Sequence, residues 1–344
     1  MVSKGKGKHR ARMFRRTTLD APRGLSIGLW EGGSESDRIR LAEALVNRPK
    51  SGEDTAIGTV QDRNTASQGD EMPEGPEIKR LADAIEGIVG GEEVLEVEIA
   101  ASAFKRYEKD LLGKRVEQVE PRGKATIFRF EGDYNVFTHL KLYGRWVFVG
   151  EGEKLDTTRQ VKFGLMTKKG GVYLCSSPDV TVLHDEDVEQ HPYLAKLGPD
   201  VINDASVTTK VIEERLGEKK WSKMPLGKLL LDQSFAAGIG NYLRSEILFV
   251  AKLLPEAKAV ELDDAKRSAL AHAILELPRR SYHEKGVTTP DAHVAQQKAL
   301  GKGREDYRFF VYKRAGEACI ECGETIEERT HGSRRIFVCP GCQS

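Results

Sequence analysis

Four of the five cysteines of this chain form two Cys-x2-Cys pairs near the C-terminus, and this spacing constrains the fold most strongly. They are Cys319, Cys322, Cys339 and Cys342, with 16 residues between the pairs. Each pair places two thiolates on one tight turn, favoured by Gly323 and Gly341, and two such turns complete a tetrahedron around Zn²⁺. Because all four ligands would come from the protein, such an ion is structural. Chance spacing of reduced thiols is the alternative.

Composition and charge narrow the classes of protein to which the chain can belong. Its 344 residues suffice for two ordinary domains and a small module, and a hydrophobic content of 39% supports real cores. No apolar run approaches the roughly 20 residues of a membrane span, and no signal peptide opens the chain. The metal-type cysteine pairs indicate a reducing compartment, so we expect a cytoplasmic protein. A formal net charge of +1 gives no sign of a polyanionic partner, so the local distribution of charge matters more.

Residues 1–71 differ in composition from the rest of the chain. The first 16 residues hold seven Lys or Arg and no acidic residue, and polar residues and glycines follow with little apolar periodicity. This pattern indicates a disordered, low-complexity extension, or an artefact of an upstream start codon. A basic arm that binds nucleic acid and an organelle transit peptide are weaker alternatives.

Apolar periodicity begins after Met72 and predicts a β-rich part that closes near residue 190. Apolar residues recur at helical spacing from Ile78 to Ile85, and Gly90 and Gly91 end this helix. Strand-like runs follow at 94–99, 125–130, 145–149 and 161–166, with a turn at 169–171 into a strand at 172–175. Cys175 in the last strand is predicted to be a small buried hydrophobe.

The pattern changes to a helical period over residues 205–280. Leu229 to Leu231 lie in one predicted helix, the turn from Ala236 to Gly240 breaks it, and Asn241 caps a second helix. Asp263 and Asp264 start a third helix. Its predicted apolar face consists of Ala269, Leu270, Ala273 and Ile274. Residues 284–306 are polar and are predicted to form a loop, and 307–312 are predicted to form a strand that enters the cysteine module.

The turn Gly238-Ile239-Gly240-Asn241 is a candidate anion site. A glycine turn that leads into a helix presents free N–H groups, and Asn241 could donate to a phosphate. The signal is weak alone, because most such turns are plain helix caps.

Three further turns carry basic or apolar residues. Lys124 follows Pro121-Arg122-Gly123, Leu142 and Tyr143 lie with Lys141 between two strands, and Arg334 and Arg335 lie between the cysteine pairs. An exposed Leu-Tyr pair would suit a wedge inserted between stacked bases, whereas ordinary core packing is the favoured alternative for that pair taken alone. For the lysine and the arginines the alternative is a solvated surface.

The sequence Met-Pro-Glu-Gly-Pro-Glu stands at residues 72–77, inside the chain. If the working protein begins at Met72, removal of that methionine leaves Pro73 with a free secondary amine beside the carboxylate of Glu74. If residues 1–71 are retained, the Pro73 nitrogen is an amide with a delocalised lone pair, and it cannot act as a nucleophile. The chemistry open to the chain therefore depends on where it starts.

Five motifs resemble those of the formamidopyrimidine-DNA glycosylase and endonuclease VIII family, and the endonuclease VIII branch most closely. They are MPEGPEI from Met72, RGKA from Arg122, HPYL with LGPDV between His191 and Val201, LLLDQ with GIGNYLR between Leu229 and Arg244, and CPGCQ from Cys339. The resemblance covers residues 72–344. Any one motif is weak, but five in the family's order are highly specific.

The resemblance implies an α+β fold in three parts after the extension at 1–71. These are a β-sandwich-like catalytic domain with a leading helix at 72–195, a helix-two-turn-helix DNA-binding domain at 200–300, and a zinc-ribbon hairpin at 304–344. It also implies a bifunctional DNA glycosylase and AP lyase of base excision repair, which flips out oxidised pyrimidines, forms a Schiff base and nicks the strand by β,δ-elimination. We expect a bacterial monomer that acts on damaged double-stranded DNA and holds one structural Zn²⁺.

The resemblance also assigns roles to single residues. Pro73 resembles the Schiff-base nucleophile, Glu74 the proton donor, Lys124 the β-elimination lysine near phosphate, and Arg334 the arginine of δ-elimination. The implied DNA contacts are Lys141, Leu142, Tyr143, Lys196 and Asn241, of which the first three form the wedge that fills the space of the flipped nucleotide. Endonuclease VIII usually has Gln where Lys141 stands and Arg where Lys196 stands, so contacts to the opposite base could differ.

Two other functions stay open at this point. The same chemistry could serve oxidised purines, as in the formamidopyrimidine branch of the family. A chain that retains residues 1–71 could instead be a non-catalytic DNA-binding protein.

Overall fold

A computed structural model of the protein describes residues 72–344. The predicted extension at 1–71 lies outside the described residues. The described chain begins with a part rich in strands, continues with helices, and ends in a two-stranded hairpin beside the cysteine pairs.

The first helix, α1 (Gly75–Val89), forms as predicted. Its first turn contains Pro76, which suits a position where no intrahelical N–H is needed. The carboxylate of Glu77 accepts the N–H of Glu74 at 3.2 Å, and Gly90 ends the helix by donating to the carbonyl of Glu86 at 2.8 Å. The buried face consists of Ile78, Ala82, Ile85 and Val89, together with Gly75 and Pro76.

Eight strands form two antiparallel four-stranded sheets. In chain order they are β1 (Glu96–Ile99), β2 (Val116–Arg122), β3 (Ala125–Phe130), β4 (Tyr134–His139), β5 (Arg145–Gly150), β6 (Val161–Thr167), β7 (Gly170–Cys175) and β8 (Asp179–Leu183). One sheet has the order β1-β6-β7-β5 and the other β2-β3-β4-β8. A single helical turn at Lys105–Tyr107 and the short helix α2 (Glu108–Leu111) lie between β1 and β2.

Apolar residues of both sheets and of α1 form one core, as a β-sandwich requires. Phe128 of β3 and Phe163 of β6 meet there with ring centroids 5.1 Å apart. The five predicted strands form, but β1 begins at Glu96 instead of residue 94, and Gly170 and Gly171 belong to β7 instead of the predicted turn. Cys175 is buried as predicted. The sequence pattern does not predict β2, β4 or β8. In β2 a register shift between Val116 and Gln118 breaks the alternation of apolar and polar residues.

A connecting segment with α3 (Asp185–Val188) and a helical turn at Leu194–Lys196 leads to the helical part. The next helices are α4 (Thr209–Gly217), α5 (Leu226–Leu229), α6 (Asn241–Val250), a turn at Ala259–Glu261, and α7 (Asp264–His283). The predicted start of α7 is confirmed, since the Asp263 carboxylate caps it by accepting the N–H of Lys266 at 2.7 Å. Three details are wrong. Leu230 and Leu231 lie beyond the end of α5, and Ala269 is exposed. The N-cap of α6 is Gly240, and Asn241 is the first residue of that helix.

Both predictions for residues 284–312 are wrong. The segment 284–306 contains α8 (Asp291–Ala299), and α9 (Arg304–Tyr307) begins within it. Since α8 buries none of its residues, its sequence carries no apolar period that could predict a helix. Residues 307–312 do not form a strand. Instead, the N–H groups of Phe310, Val311 and Tyr312 donate to the buried carboxylate of Glu246 at 2.8, 3.0 and 2.9 Å.

The chain ends in the hairpin of β9 (Glu327–His331) and β10 (Arg334–Val338). Ile336 and Phe337 of β10 are buried and pack into the same core as the helical part. The α+β fold class is confirmed, with its sheet part, helical part and cysteine hairpin in the predicted order. Among helices in residues 72–344, none combines the length and the apolar character needed to cross a bilayer.

Candidate active site and metal centre

The carboxylate of Glu74 lies at the N-terminus of α6, where it accepts three backbone N–H groups. The distances are 2.6 Å from Gly240, 2.8 Å from Tyr242 and 3.3 Å from Leu243. A Cβ atom at Gly240 would lie 2.2 Å from Cδ of Glu74, so this approach requires glycine. The predicted anion site therefore exists, but it holds the chain's own carboxylate. The prediction that these N–H groups are free for a phosphate is wrong.

Burial makes the carboxyl group of Glu74 a much weaker acid than usual. The residue is 4% exposed. Burial, assisted by the nearby charge of Glu77, raises the pKa of Glu74 to about 8 against the opposing effects of Lys124 and the N–H groups. A carboxyl group with this pKa is protonated at pH 7 and can donate that proton to a leaving group.

Lys124 lies in the turn between β2 and β3 and is electrostatically coupled to Glu74. Burial lowers the pKa of the Lys124 ammonium group, Glu74 opposes that shift, and Arg334 adds to it. In turn, Lys124 lowers the pKa of Glu74. An amine with a lowered pKa beside a protonated carboxyl is suited to proton transfer.

Arg334 is the first residue of β10 and brings the cysteine hairpin to the same site. Its charge lowers the pKa of both Lys124 and Arg244. The neighbouring Arg335 forms an ion pair with Glu328 at 3.5 Å. The structure therefore brings three residues together: Glu74 before α1, Lys124 in the β2–β3 turn and Arg334 in the hairpin. Pro73 directly precedes Glu74.

Arg244 is a buried residue of this site that the sequence reasoning does not single out. Its guanidinium donates to the carbonyl of Gly227 at 3.0 Å, to Oδ1 of Asn241 at 2.7 Å and to the carbonyl of Arg335 at 3.0 Å. Burial lowers the pKa of Arg244 to about 10, which still leaves it charged at pH 7. The sequence contains a signal for the contact between Arg244 and Asn241: the two residues are three positions apart, so they lie on one face of the helix.

The side-chain amide of Asn241 is held within the protein. Its nitrogen donates to the carbonyl of Arg335 at 3.0 Å, and its oxygen accepts from Arg244. An amide nitrogen carries two hydrogens, so one N–H of Asn241 is left for a further partner. These bonds fasten the cysteine hairpin to the N-terminus of α6.

The turn that contains Lys141, Leu142 and Tyr143 projects its apolar residues into solvent. Leu142 is 44% exposed and Tyr143 is 73% exposed, so the alternative of core packing is wrong. Lys141 has a φ of 52°, and its N–H donates to Nδ1 of His139 at 3.0 Å. Burial lowers the pKa of His139 to about 4, so this nitrogen is an acceptor at pH 7. The ammonium of Lys141 lies 2.8 Å from the carboxylate of Asp179.

A groove of about 1090 Å³ runs between the sheet part and the helical part. Its charged lining residues include Lys141, Lys196, Arg215, Lys220, Asp179 and Asp232, and we call this the basic groove. Lys196 ends the helical turn of the connecting segment and is exposed. The structure thus places Lys141 and Lys196 in one groove, whereas Lys124, Asn241 and Arg334 gather around Glu74.

The four paired cysteines form one cluster, with all sulfur atoms within 4.8 Å of one another. Sγ of Cys319 lies 3.8 Å from that of Cys342, and Sγ of Cys322 lies 3.4 Å from that of Cys339. A tetrahedral zinc ion with bonds of about 2.3 Å requires sulfur atoms roughly 3.8 Å apart. The residues therefore fit a metal ion with four thiolate ligands. Gly323 has a φ of 79° at the first cysteine turn, as a glycine allows.

Comparison with known proteins identifies the class. The model of the formamidopyrimidine-DNA glycosylase N-terminal domain matches residues 72–175, and that of the H2TH domain of the same enzyme matches residues 197–291. The chain therefore belongs to the formamidopyrimidine-DNA glycosylase family, and it is a DNA glycosylase with AP lyase activity that acts in base excision repair.

Relatives in sequence narrow the comparison to one branch of this family. The chain is 42% identical over 272 residues to endonuclease 8 of Escherichia coli O9:H4 (strain HS), and 41% identical to endonuclease 8 of Shigella sonnei (strain Ss046). Each match covers 79% of this chain and 100% of the relative.

Solved structures of the Lactococcus lactis formamidopyrimidine-DNA glycosylase share the fold. One, bound to DNA with an AP site, matches with a TM-score of 0.65 and 22% identity over 79% of this chain and 99% of that one. Another, with DNA that contains an oxidised pyrimidine, has a TM-score of 0.65 and 23% identity over 79% of this chain and 100% of that one.

Proposed function

We propose that the chain excises oxidised pyrimidines from double-stranded DNA and then nicks the strand, with Pro73 as the nucleophile. The observation that carries this proposal is the convergence of Glu74, Lys124 and Arg334 beside Pro73. The 42% identity to endonuclease 8 over the whole length of that relative supports the pyrimidine branch of the family.

A terminal proline suits this chemistry better than a lysine. An α-amine titrates near pH 8 and a lysine near pH 10.4, so the α-amine is on the order of a hundredfold more deprotonated at neutral pH. The amine of Pro73 forms a bond to C1′ of the sugar while the bond from C1′ to the base breaks. Glu74 supplies the proton that this step consumes, which agrees with its raised pKa.

The eliminations follow from the charge of the intermediate. The bond from C1′ to the ring oxygen O4′ then breaks, and O4′ takes up a proton. This leaves the secondary amine as an iminium ion that stays positive without being protonated, and this cation withdraws electrons from C2′. Loss of a C2′ proton, for which Lys124 is placed, breaks the bond to the 3′ phosphate. A second elimination breaks the bond to the 5′ phosphate, and the charge of Arg334 stabilises the departing phosphate. Water then hydrolyses the iminium ion, which releases the sugar remnant and restores the amine of Pro73.

Damaged DNA is proposed to lie along the basic groove and over the Glu74 site. Lys141, Lys196 and the second N–H of Asn241 contact the backbone, while Leu142 and Tyr143 fill the space of the flipped nucleotide. The exposure of that pair and the position of Lys141 and Lys196 on one groove support this assignment.

Excision from matched duplexes tests the proposed substrate. Duplexes that contain thymine glycol or 8-oxoguanine are compared at equal protein concentration. We expect faster excision of thymine glycol. Faster excision of 8-oxoguanine would place the chain with the purine-directed enzymes, and binding without excision of either would indicate a DNA-binding protein.

The wedge makes a separate prediction. Leu142→Ala should slow excision of a damaged base by about tenfold or more but spare cleavage at a pre-formed abasic site, where less unstacking is needed. Single-turnover rates on the two substrates measure this. Leu112→Ala is a matched control, since Leu112 is 54% exposed in the same part of the chain. Equal losses on both substrates would indicate a packing defect and contradict the wedge.

The cysteine cluster is proposed to hold one structural Zn²⁺. The four thiolates and their spacing support zinc, which prefers tetrahedral sulfur sites. The amide of Gln343 accepts the N–H of Cys339 at 2.8 Å and donates to the carbonyl of Leu253 at 2.7 Å, so this centre supports the hairpin against the helical part. The four cysteines would hold the ion, which would link the two cysteine turns next to the hairpin that carries Arg334.

Removal of the metal should abolish DNA binding. Metal analysis should give about one Zn per chain, and a strong chelator should unfold the hairpin and release DNA, because such modules fold on their metal. Cys175→Ala provides the control, since this cysteine is buried in β7 and should leave the zinc content unchanged. Folded, active protein without zinc would refute this assignment.

We further propose how the molecule is organised. The sheet domain spans 72–195, the helix-two-turn-helix domain 200–300 and the zinc finger 304–344. The protein acts as a monomer in the bacterial cytoplasm, where it reaches the chromosome. Its active form starts at Pro73, and this is supported by the match of the family's N-terminal domain from residue 72.

A further inference from the structure

We propose that Tyr193 and Asp200, both on the connecting segment between β8 and α4, position Lys124 for strand cleavage. This inference rests on the proposed role of Lys124 in the lyase reaction. It concerns the backbone of the turn that carries the lysine, and not a contact with DNA.

Two successive N–H groups of the β2–β3 turn are held by these side chains. The N–H of Gly123 donates to the carboxylate of Asp200 at 2.8 Å, and the N–H of Lys124 donates to the hydroxyl of Tyr193 at 2.9 Å. Arg122 pairs with Ala125, so Gly123 and Lys124 are the only residues of this turn. Both turn residues are thereby tied to a segment about 70 residues further along the chain.

Both anchors are themselves fixed. The carboxylate of Asp200 also accepts the N–H of Ile202 at 3.1 Å and the N–H and amide of Asn203 at 3.0 and 2.9 Å. The ring of Tyr193 packs against those of Phe137 and His139, with centroids 5.7 and 5.1 Å away. A side chain whose rotamer is locked in this way can hold a catalytic group within a narrow range of positions.

The turn is pressed closely onto the connecting segment. Gly123 has a φ of 60°, and a Cβ atom there would lie 3.1 Å from the hydroxyl of Tyr193 and 3.3 Å from Leu197. The same segment also contacts the glycine turn that binds Glu74, because the carbonyl of Pro199 accepts the N–H of Ala237 at 2.9 Å. Tyr193 and Asp200 therefore connect the turn of Lys124 to the glycine turn that binds Glu74.

The expected consequence is a loss of turnover without a loss of DNA binding. The charged and titratable groups that face Lys124 come from several elements: Glu74 just before α1, Glu77 from α1, Arg334 from β10, His139 from β4, and Tyr193 from the connecting segment. If the turn loosens, Lys124 moves away from these groups and becomes more solvated. Desolvation keeps the pKa of Lys124 low, so greater solvation raises it. Displacement by about 1 Å can lower a rate by up to a hundredfold.

The test compares Tyr193→Phe and Asp200→Asn with Tyr173→Phe on a duplex with an abasic site. Variants are made in the form that starts at Met72, which corresponds to the whole length of the matching relatives. Tyr173 is a buried tyrosine of β7 remote from this turn in the sheet order, so Tyr173→Phe controls for loss of a hydroxyl. For both test variants we expect kcat to fall about tenfold or more, KM to stay within about twofold, and the acidic limb of the pH profile, on which Lys124 loses its proton, to move to higher pH.

Lys124→Ala separates this inference from the proposed function. If Lys124→Ala is impaired while Tyr193→Phe and Asp200→Asn behave like Tyr173→Phe, the positioning role is wrong and the role of Lys124 stands. If Lys124→Ala is fully active, both fail. A fall in kcat with an equal rise in KM, a lower unfolding temperature and an unmoved pH profile would indicate a merely structural role and also overturn the inference.

Discussion

A chain that keeps residues 1–71 should bind damaged DNA but form no borohydride-stable adduct through Pro73. The nitrogen of an internal proline is an amide, and its delocalised lone pair cannot attack C1′. Since covalent catalysis then fails at its first step, we expect the adduct yield to fall at least about a thousandfold relative to protein that starts at Pro73. Gel analysis after reduction measures the yield, and intact mass confirms the start of each chain.

One additional variant distinguishes the loss of the free amine from steric blockage by the extension. Protein that starts with a single glycine before Pro73 differs from the active form by one residue, yet its proline nitrogen is also an amide. We expect it to fail as completely as the full-length chain. If it forms the adduct normally at a residue other than the added glycine, whose own α-amine is free, while the full-length chain does not, the extension blocks the site sterically and Pro73 is not the nucleophile.

Glu74→Gln should lower the rate of base excision by about a hundredfold or more, with a smaller loss of cleavage at an abasic site. Glutamine cannot donate a proton as a carboxylic acid does. In the unaltered protein the protonated form of Glu74 predominates below its pKa of about 8, so excision that depends on that proton should decline as the pH rises through 8. Single-turnover excision between pH 6 and 9 measures both effects, and this limb should be absent in Glu74→Gln.

Glu86→Gln controls for the loss of stability that follows when a hydrogen-bonded carboxyl group is replaced by an amide. Glu86 lies on the same helix, and its carboxylate also accepts a backbone N–H, from Val119 at 2.6 Å. Either substitution removes one acceptor oxygen and should cost roughly 1–3 kcal/mol of stability. If Glu86→Gln slows excision as much as Glu74→Gln, the effect is one of folding and Glu74 is not the proton donor.

Local patterns in the sequence predict those elements in which the spacing of apolar residues or cysteines reflects how the residues pack. The apolar spacing of Ile78 and Ile85 gives α1, and the cysteine spacing gives the metal cluster. The helix Asp291–Ala299 escapes prediction because it buries no side chain. Residues 307–312 look like a strand because they are apolar, yet their N–H groups bind Glu246, and no local pattern shows a partner more than 60 residues away.

The same limit applies to the site. The glycine turn before α6 is recognisable as an anion site, but the group that it binds is the carboxyl group of Glu74, 166 residues earlier than Gly240. The resemblance to a family supplies Lys124 and Arg334 as functional residues, whereas only the fold shows that their charges act on each other. Arg244 and Tyr193 escape the sequence reasoning because their roles depend on contacts with backbone groups of other elements.

The site of covalent attachment tests the central claim most directly. Protein that starts at Pro73 is reduced with borohydride on damaged duplex, digested with nuclease and trypsin, and analysed by mass spectrometry. We predict that the sugar remnant is attached to the terminal nitrogen of the peptide from Pro73 to Lys79. Attachment to Lys124 or to another lysine, with this terminal peptide unmodified, would contradict the account.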